Sequence, residues 1–179
     1  ALNRPILVLL QHSETTAPDQ AYRQMVETLV PVRDAGLQTV VVYPCSDVGY
    51  EGIVQAIEEY AVGENFRVFR NLDAPIFWGL LAIASALIGN SSAGIIESAS
   101  FGLPTINIGR RQEGRAHAEN VIHVDHCRQK IANAIAMVLS DQYFLGKAKR
   151  AENLYGDGLA GQRTVDFIAN ISLDQALMV

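Results

Sequence analysis

Residues 86–108 read ALIGNSSAGIIESASFGLPTINI, and this stretch indicates the fold class. It begins with an apolar run of strand length at residues 86–89 and closes with a predicted strand, Thr-Ile-Asn-Ile, at residues 105–108. Between them, residues 94–101 are predicted to form a helix that ends at Gly102. A strand, a helix and a further strand in succession predict a right-handed crossover within a parallel sheet.

The same alternation continues along the whole chain. Further strands are predicted at residues 5–11, 39–43, 66–69 and 120–124. Further helices are predicted at residues 19–35, 53–61, 75–85, 128–139, 142–153 and 162–171. Several strands are apolar along their length, which indicates burial on both faces of the sheet. We therefore expect a doubly wound α/β domain with a mostly parallel sheet of about six strands, spanning residues 1–171 and followed by a tail at residues 172–179.

Composition excludes several classes of protein. The chain has 179 residues, of which 49% are hydrophobic and 18% charged, so we expect a folded core and not a disordered chain. The net charge of −5 argues against a nucleic-acid-binding protein. We also expect no membrane span and no secretory signal, and hence a cytoplasmic protein. Cys45 and Cys127 match no disulfide or zinc pattern, so both are expected to be buried small hydrophobes.

Ligands of doubly wound sheets bind outside the carboxyl ends of the strands, which directs attention to the loops there. His12 follows the first predicted strand and precedes several hydroxyl side chains. It could contact a charged ligand, or it could be satisfied by backbone carbonyls while Thr15 or Thr16 caps the next helix. Asp47, after the second strand, could cap a helix or contact a ligand.

The loop after the fourth predicted strand, residues 89–94, has the composition of an anion site. Its small residues allow close approach of the backbone, and first-turn amides together with the hydroxyls of Ser91 and Ser92 would favour a phosphate. Asn90 belongs to the same loop. Glu97 lies one turn into the helix, where it could accept hydrogen bonds from a ribose diol. The alternative is a serine N-cap with Glu97 as a favourable charge early in the helix.

Three arginines follow the fifth predicted strand: Arg110, Arg111 and Arg115. Guanidinium groups bind phosphate in bidentate fashion, so this loop is a second candidate for anion binding. The alternative is a solvated basic loop that pairs with Glu113 and Glu119. Because neighbouring parallel strands end at the same edge, we expect the serine loop and the arginine loop to face one cleft.

The sequence offers no pattern for a cofactor or a metal. A Walker motif and a G-x-G-x-x-G fingerprint are both missing, so no nucleotide cofactor of the nicotinamide or flavin type is expected. The four histidines lack a spacing such as H-E-x-x-H, so no metal is expected either. Ser91 lies outside any G-x-S-x-G elbow and is not predicted to be a nucleophile.

Several segments, in order, resemble the UDP-N-acetylglucosamine 2-epimerase family. They are GNSSAGIIE at residues 89–97, FGLPTINIG at 101–109, RQEGR at 111–115 and NLYGDG at 153–158. The resemblance extends over about residues 5–171. It implies one half of a two-domain, GT-B-like enzyme, namely the C-terminal, UDP-binding half. It also implies a missing N-terminal domain that supplies the catalytic carboxylates, through either a truncation or a naturally split protein.

The Gly-Asn-Ser-Ser loop, and the two threonines that follow the histidine, resemble the hydrolysing branch of the family. This branch converts UDP-N-acetylglucosamine and water into UDP and N-acetylmannosamine, a precursor of sialic-acid-type sugars. The resemblance implies loss of the C2 proton and of UDP from C1, a glycal intermediate, and addition of water. The base that removes the C2 proton would belong to the missing half.

The resemblance also assigns roles to individual residues. The positions that hold the diphosphate are matched by His12, which we take as the catalytic candidate, and by Ser91, Ser92 and Arg111. Glu97 matches the position that holds the ribose hydroxyls, and Leu72 matches a position whose backbone meets the uracil. Asn90 and Arg115 are included as substrate-binding candidates. Ser13 replaces a common proline and Cys45 replaces a common asparagine, which leaves a ligand contact by Cys45 in doubt.

Two other function classes stay open at this point. The same fold and diphosphate site would serve the donor-binding half of a glycosyltransferase, or a non-catalytic regulatory domain with a nucleotide pocket. We expect UDP and UDP-N-acetylglucosamine as ligands, and the missing N-terminal domain and a second copy of the chain as partners. No cofactor, nucleic acid or membrane is expected as a partner.

Overall fold

Six parallel strands form the centre of the protein in a computed structural model, which describes residues 4–171. The strands are β1 (Ile6–Leu10), β2 (Gln38–Val42), β3 (Phe66–Phe69), β4 (Ala86–Gly89), β5 (Thr105–Ile108) and β6 (Val121–Val124). The α-helices of these residues are α1 (Ala21–Asp34), α2 (Tyr50–Tyr60), α3 (Ala74–Ile83), α4 (Ala93–Ile96), α5 (Arg128–Ser140), α6 (Gln142–Lys149) and α7 (Ala160–Asn170). The predicted doubly wound α/β fold is confirmed.

The strand order of the sheet is β3-β2-β1-β4-β5-β6. The chain therefore builds outward from β1 to one edge, then crosses over and builds outward to the other, which makes β1 and β4 the switch point. Leu10 pairs with Gly89, and Gly89 pairs with Asn107. This register places the loops after β1, β4 and β5 side by side at one edge of the sheet.

Both faces of the sheet are covered, as the apolar strands predict. Leu7 and Leu9 of β1 belong to the core beneath α1, α2 and α5, whereas Val8 packs with Leu81 of α3 on the opposite face. All three β1 side chains are fully buried. Burial of each such side chain contributes about 1.5–3 kcal/mol, so the central strand is a rigid support for the loop that follows it.

Some local expectations are wrong. Helix α2 begins at Tyr50 after Gly49 in a left-handed conformation, so Asp47 does not cap it. The helix predicted at residues 94–101 is only the four-residue α4, followed by a 3-10 turn at Ser98–Phe101. Cys45 is exposed, not buried. The predicted tail at residues 172–179 lies outside the described residues.

Helix α7 differs from the other helices in its packing. None of its residues is buried. Val165, Phe167 and Ile168 are 61%, 67% and 64% exposed and together form what we call the exposed apolar surface of α7. None of the helices within residues 4–171 is long and apolar enough to cross a membrane.

Candidate functional site

Asn90 joins the loops that follow β1, β4 and β5. Its side chain is fully buried; Oδ1 accepts a hydrogen bond from the amide of His12 (2.7 Å), and Nδ2 donates to the His12 carbonyl (2.9 Å). The Asn90 carbonyl accepts from the side chains of Arg111 (3.3 Å) and Gln112 (2.8 Å). The structure thus gives the side chain of this predicted substrate contact an internal role, because both of its polar atoms are paired inside the protein.

Gly89 permits this junction. Its φ of +131° lies in a region that side chains rarely adopt, and a Cβ there would lie 2.1 Å from the carbonyl oxygen of Leu10. Only glycine therefore allows β4 to turn this closely beside β1.

His12 is neutral at physiological pH. Burial, and then the positive charge of Arg111, lower the pKa of His12 from 6.5 to about 4. Nδ1 accepts a hydrogen bond from the amide of Cys45 (3.0 Å), which leaves the hydrogen of the neutral ring on Nε2. His12 can therefore donate a hydrogen bond from Nε2 without bringing a positive charge. The alternative in which backbone carbonyls satisfy His12 while Thr15 or Thr16 caps the next helix is wrong, since the ring partner is an amide and neither the 3-10 turn at Pro18–Gln20 nor α1 has a side-chain cap.

The serine loop offers hydroxyls more readily than amides. The amide of Ala93 donates to Oγ of Ser91 (3.3 Å), and the amides of Gly94 and Ile95 donate to the carbonyls of Ser91 and Ser92 (3.1 and 2.9 Å). The first-turn donors expected to face an anion are thus paired within the turn, and a four-residue helix has little dipole. The hydroxyls of Ser91 and Ser92 are donors that this loop can present.

A cavity of about 430 Å³ lies at the carboxyl edge of β1 to β4. Five of the predicted site residues line it: His12, Leu72, Ser91, Ser92 and Glu97. Tyr43, Phe77 and Trp78 add aromatic walls. A cavity of similar volume, about 460 Å³, lies between β6 and α5 and contains none of the predicted site residues. The cavity that contains His12 and the two serines therefore has both the polar groups and the apolar walls that a nucleotide requires.

Arg111 reaches this edge from the β5 loop. Its Nη2 lies 3.2 Å from Oδ2 of Asp47, with both side chains about a third exposed or less. It lines a neighbouring cavity of about 440 Å³ with Glu14 and the threonines after His12. A hydrogen bond from the Cys45 thiol, together with the Arg111 guanidinium, holds the pKa of Asp47 below its usual value despite some desolvation. Asp47 thus holds the guanidinium beside the β1 and β4 loops.

The other two arginines, Arg110 and Arg115, do not line the cavity that contains Ser91, although Arg110 lines the 440 Å³ cavity beside Arg111. Arg110 pairs with Glu113 (2.8 Å), as the alternative reading of this loop predicts, and is exposed. Arg115 is exposed and lines a separate cavity with His117 and His123. The structure therefore does not bring Arg115, a predicted substrate contact, to the cavity that contains Ser91.

Glu14 and His126 hold the arginine loop in place, and sequence reasoning missed both. Oε1 of Glu14 accepts hydrogen bonds from the amide of Arg110 (2.7 Å) and from Nε2 of His126 (3.1 Å), and the two side chains are only 11% and 16% exposed. Burial would raise the pKa of Glu14, but these hydrogen bonds outweigh it and lower the pKa. Because the two residues are 112 positions apart, no local pattern could reveal the pair.

The sequence model of the UDP-N-acetylglucosamine 2-epimerase family matches residues 1–169. The chain belongs to this family. The resemblance inferred from the residues is thus confirmed. The UDP-N,N'-diacetylbacillosamine 2-epimerase (hydrolyzing) of Legionella pneumophila is 30% identical over 176 residues, which are 98% of this chain and 45% of that protein. The UDP-N-acetylglucosamine 2-epimerase of Neisseria meningitidis is 34% identical over 122 residues, 68% of this chain and 31% of that protein.

A solved epimerase structure has the same fold. The crystal structure of the Neisseria meningitidis UDP-GlcNAc 2-epimerase bound to UDP-GlcNAc aligns with a TM-score of 0.74 at 16% identity, over 96% of this chain and 46% of that one. The chain spans less than half the length of these relatives. It therefore corresponds to one half of a two-domain, GT-B-like architecture.

Proposed function

We propose that this chain is the UDP-binding half of a hydrolysing 2-epimerase that acts on a UDP-linked acetamido sugar. The observation that carries the proposal is the meeting of three loops at Asn90. It places the imidazole of His12, the serine hydroxyls and the guanidinium of Arg111 around one edge of the sheet. Hydroxyl and imidazole donors on one cavity, with a guanidinium on the neighbouring cavity at the same edge, suit a diphosphate.

The cavity also has room for the nucleoside. Leu72 and Trp78 lie on its wall and would flank the uracil, while Glu97 would accept hydrogen bonds from the ribose hydroxyls. Asp47 keeps Arg111 oriented before the ligand arrives, and the diphosphate would take over or share this guanidinium. A donor that is already oriented loses less conformational freedom on binding.

The chemistry follows from where charge develops. When the C2 proton leaves and the C1–O bond breaks, negative charge grows on the departing diphosphate. Donors fixed in advance stabilise this charge most as it forms, which is the role proposed for the Nε2 hydrogen of His12 and for Arg111. The C2 base belongs, in this proposal, to the other half of the enzyme, so the isolated chain binds UDP without turnover.

The hydrolysing type is supported by the Legionella relative, a hydrolysing 2-epimerase of a UDP-linked diacetamido sugar. We therefore propose UDP-N-acetylglucosamine, or a further acetamido derivative of it, as the substrate. The cytoplasmic location and self-association expected from the sequence belong to the same proposal.

Calorimetric titration of the chain with UDP, UDP-N-acetylglucosamine and ADP tests the proposal. We expect binding of the two uridine ligands and much weaker binding of ADP. Equal affinity for ADP would favour a general nucleotide-binding domain, and no binding of UDP would refute the site. N-acetylmannosamine formation by the chain alone would contradict the proposal that the other half of the enzyme supplies the C2 base.

A pair of serine variants locates the diphosphate. Ser91→Ala should weaken UDP binding about 10–100-fold, since it removes a hydrogen bond to a charged group worth about 1.5–3 kcal/mol. Ser140→Ala, at the C-terminal end of α5, is the matched control and should bind UDP like the unaltered chain. Equal affinities of the two variants for UDP would mean that Ser91 does not contact the diphosphate.

A further inference from the structure

Three chemically different donor groups meet at one wall of the cavity. Nδ1 of His12 lies 3.1 Å from Sγ of Cys45, and these two atoms and a carboxylate oxygen of Asp47 all lie within 4.8 Å of one another. Within residues 4–171 this is the one group of three such side chains that could hold a metal ion. The donors come from the loops after β1 and β2, which the parallel pairing of these strands brings together.

We propose that His12, Cys45 and Asp47 bind a thiophilic divalent cation of the Zn²⁺ class. Imidazole nitrogen, thiolate sulfur and carboxylate oxygen are the ligand types that Zn²⁺ takes in proteins, at about 2.0–2.3 Å from the ion. In a tetrahedron, such distances put ligand atoms about 3.5 Å apart. The observed separations, 3.1 Å between His12 Nδ1 and Cys45 Sγ and at most 4.8 Å for the other pairs, reach this value with small side-chain movements.

The charges of the three groups suit a cation. The Cys45 thiol releases its proton to solvent when the sulfur binds the ion as a thiolate. Thiolate and carboxylate together neutralise a doubly charged cation. Binding through Nδ1 replaces the hydrogen bond from the Cys45 amide, which lies in an exposed loop where water can replace the imidazole.

Two neighbours define the surroundings of this site. Arg111 contacts Oδ2 of Asp47, and a carboxylate has a second oxygen for the cation. His12 and Cys45 both line the 430 Å³ cavity, so the remaining coordination position is accessible to water or to a ligand oxygen. The histidine spacing in the sequence predicts no metal. It could not reveal this site, because the fold, and not a local motif, brings the three donors together. The cation site does not depend on UDP binding, so it can be tested separately from the proposed function.

Cobalt substitution provides the test, because a thiolate–Co²⁺ bond gives a charge-transfer absorption that nitrogen and oxygen ligands do not. The reduced, metal-free chain is titrated with Co²⁺ and then with Zn²⁺ as competitor. We expect one equivalent to bind with the thiolate band, and Cys127→Ser to behave in the same way. Cys45→Ser should lose the band and bind at least about 100-fold more weakly, since loss of a supporting contact alone costs about 10–100-fold. Asp47→Asn should also weaken binding.

A second measurement does not require a variant to fold. Zn²⁺ should protect Cys45 of the unaltered chain from an alkylating reagent while Cys127 is labelled at an unchanged rate, with both sites read by peptide mass spectrometry. Absence of a thiolate band, a band that persists in Cys45→Ser, or equal labelling of Cys45 with and without Zn²⁺ would each overturn the proposal.

Discussion

Gly109 lies against the pair of side chains that anchors the arginine loop, and its replacement tests whether this anchor matters. Its φ is +74°, and a Cβ there would lie 2.2 Å from both Oε1 of Glu14 and Nε2 of His126. Gly114 in the same loop has a φ of +80° and no atom within 4 Å of its would-be Cβ. Gly109→Ala and Gly114→Ala therefore share the backbone penalty and differ in the contacts that they disturb.

The expected difference follows from those contacts. A left-handed alanine costs each variant about 1–2 kcal/mol relative to glycine. Only Gly109→Ala must also displace the Glu14 carboxylate from the amide of Arg110, a hydrogen bond to a charged group worth about 1.5–3 kcal/mol. The free energy of unfolding should therefore fall by about 1.5–3 kcal/mol more in Gly109→Ala than in Gly114→Ala.

Urea denaturation of the two variants measures this difference, which also corresponds to about 3–12 °C in Tm for a chain of this length. Because the displaced turn presents Arg111, Gly109→Ala should also reduce UDP affinity by about 10-fold, whereas Gly114→Ala should leave it nearly unchanged. Equal losses of stability in both variants would refute the anchoring role of Glu14 and His126.

Two further expectations concern the proposed ligand site and its pH dependence. Arg111→Ala should weaken UDP binding about 10–100-fold in calorimetry, because it removes a charge-assisted contact. Arg115→Ala should change the affinity less than about 3-fold. A larger loss in Arg115→Ala than in Arg111→Ala would mean that Arg115 is the arginine that binds the diphosphate. In the unfolded chain His12 is protonated with a pKa near 6.5, whereas in the folded chain its pKa is about 4. Between these values protonation favours the unfolded chain, so the free energy of unfolding falls as the pH decreases. Between pH 7 and pH 5 the contribution is about 2 kcal/mol, and His12→Asn should remove it from the denaturation profile; an unaltered slope would mean that the imidazole is not desolvated.

The strands are the part of the fold that the sequence predicts best. Residues 66–69, 86–89 and 105–108 are predicted as strands with those same limits, and they are β3, β4 and β5. The clearest case is β4, an inner strand that is apolar and buried throughout, since burial on both faces of a sheet leaves a local signal in the sequence. Helix starts are less predictable, since Asp47 looks like a cap but pairs with Arg111 from a distant loop.

The candidate site is predictable in its location but not in its internal contacts. The topology rule for parallel sheets selects the loops after all the strands, the composition of those after β1, β4 and β5 indicates anion binding, and these three loops do meet. Contacts between loops determine which polar groups form hydrogen bonds inside the protein and which can contact a ligand. Asn90 looks like a ligand contact and is buried, while Cys45 looks like a core residue and is exposed. Neither outcome has a local sequence signal.

The exposed apolar surface of α7 has a practical consequence for handling this chain. Burial of Val165, Phe167 and Ile168 against another surface would contribute about 1.5–3 kcal/mol for each side chain to the free energy of association. Contact between two copies of the chain through this surface is therefore favourable by several kilocalories per mole. Concentrated stocks should therefore show weak, reversible clustering that dilution or a trace of mild detergent disperses. Ligand titrations carried out at low protein concentration would keep that clustering from being mistaken for cooperativity.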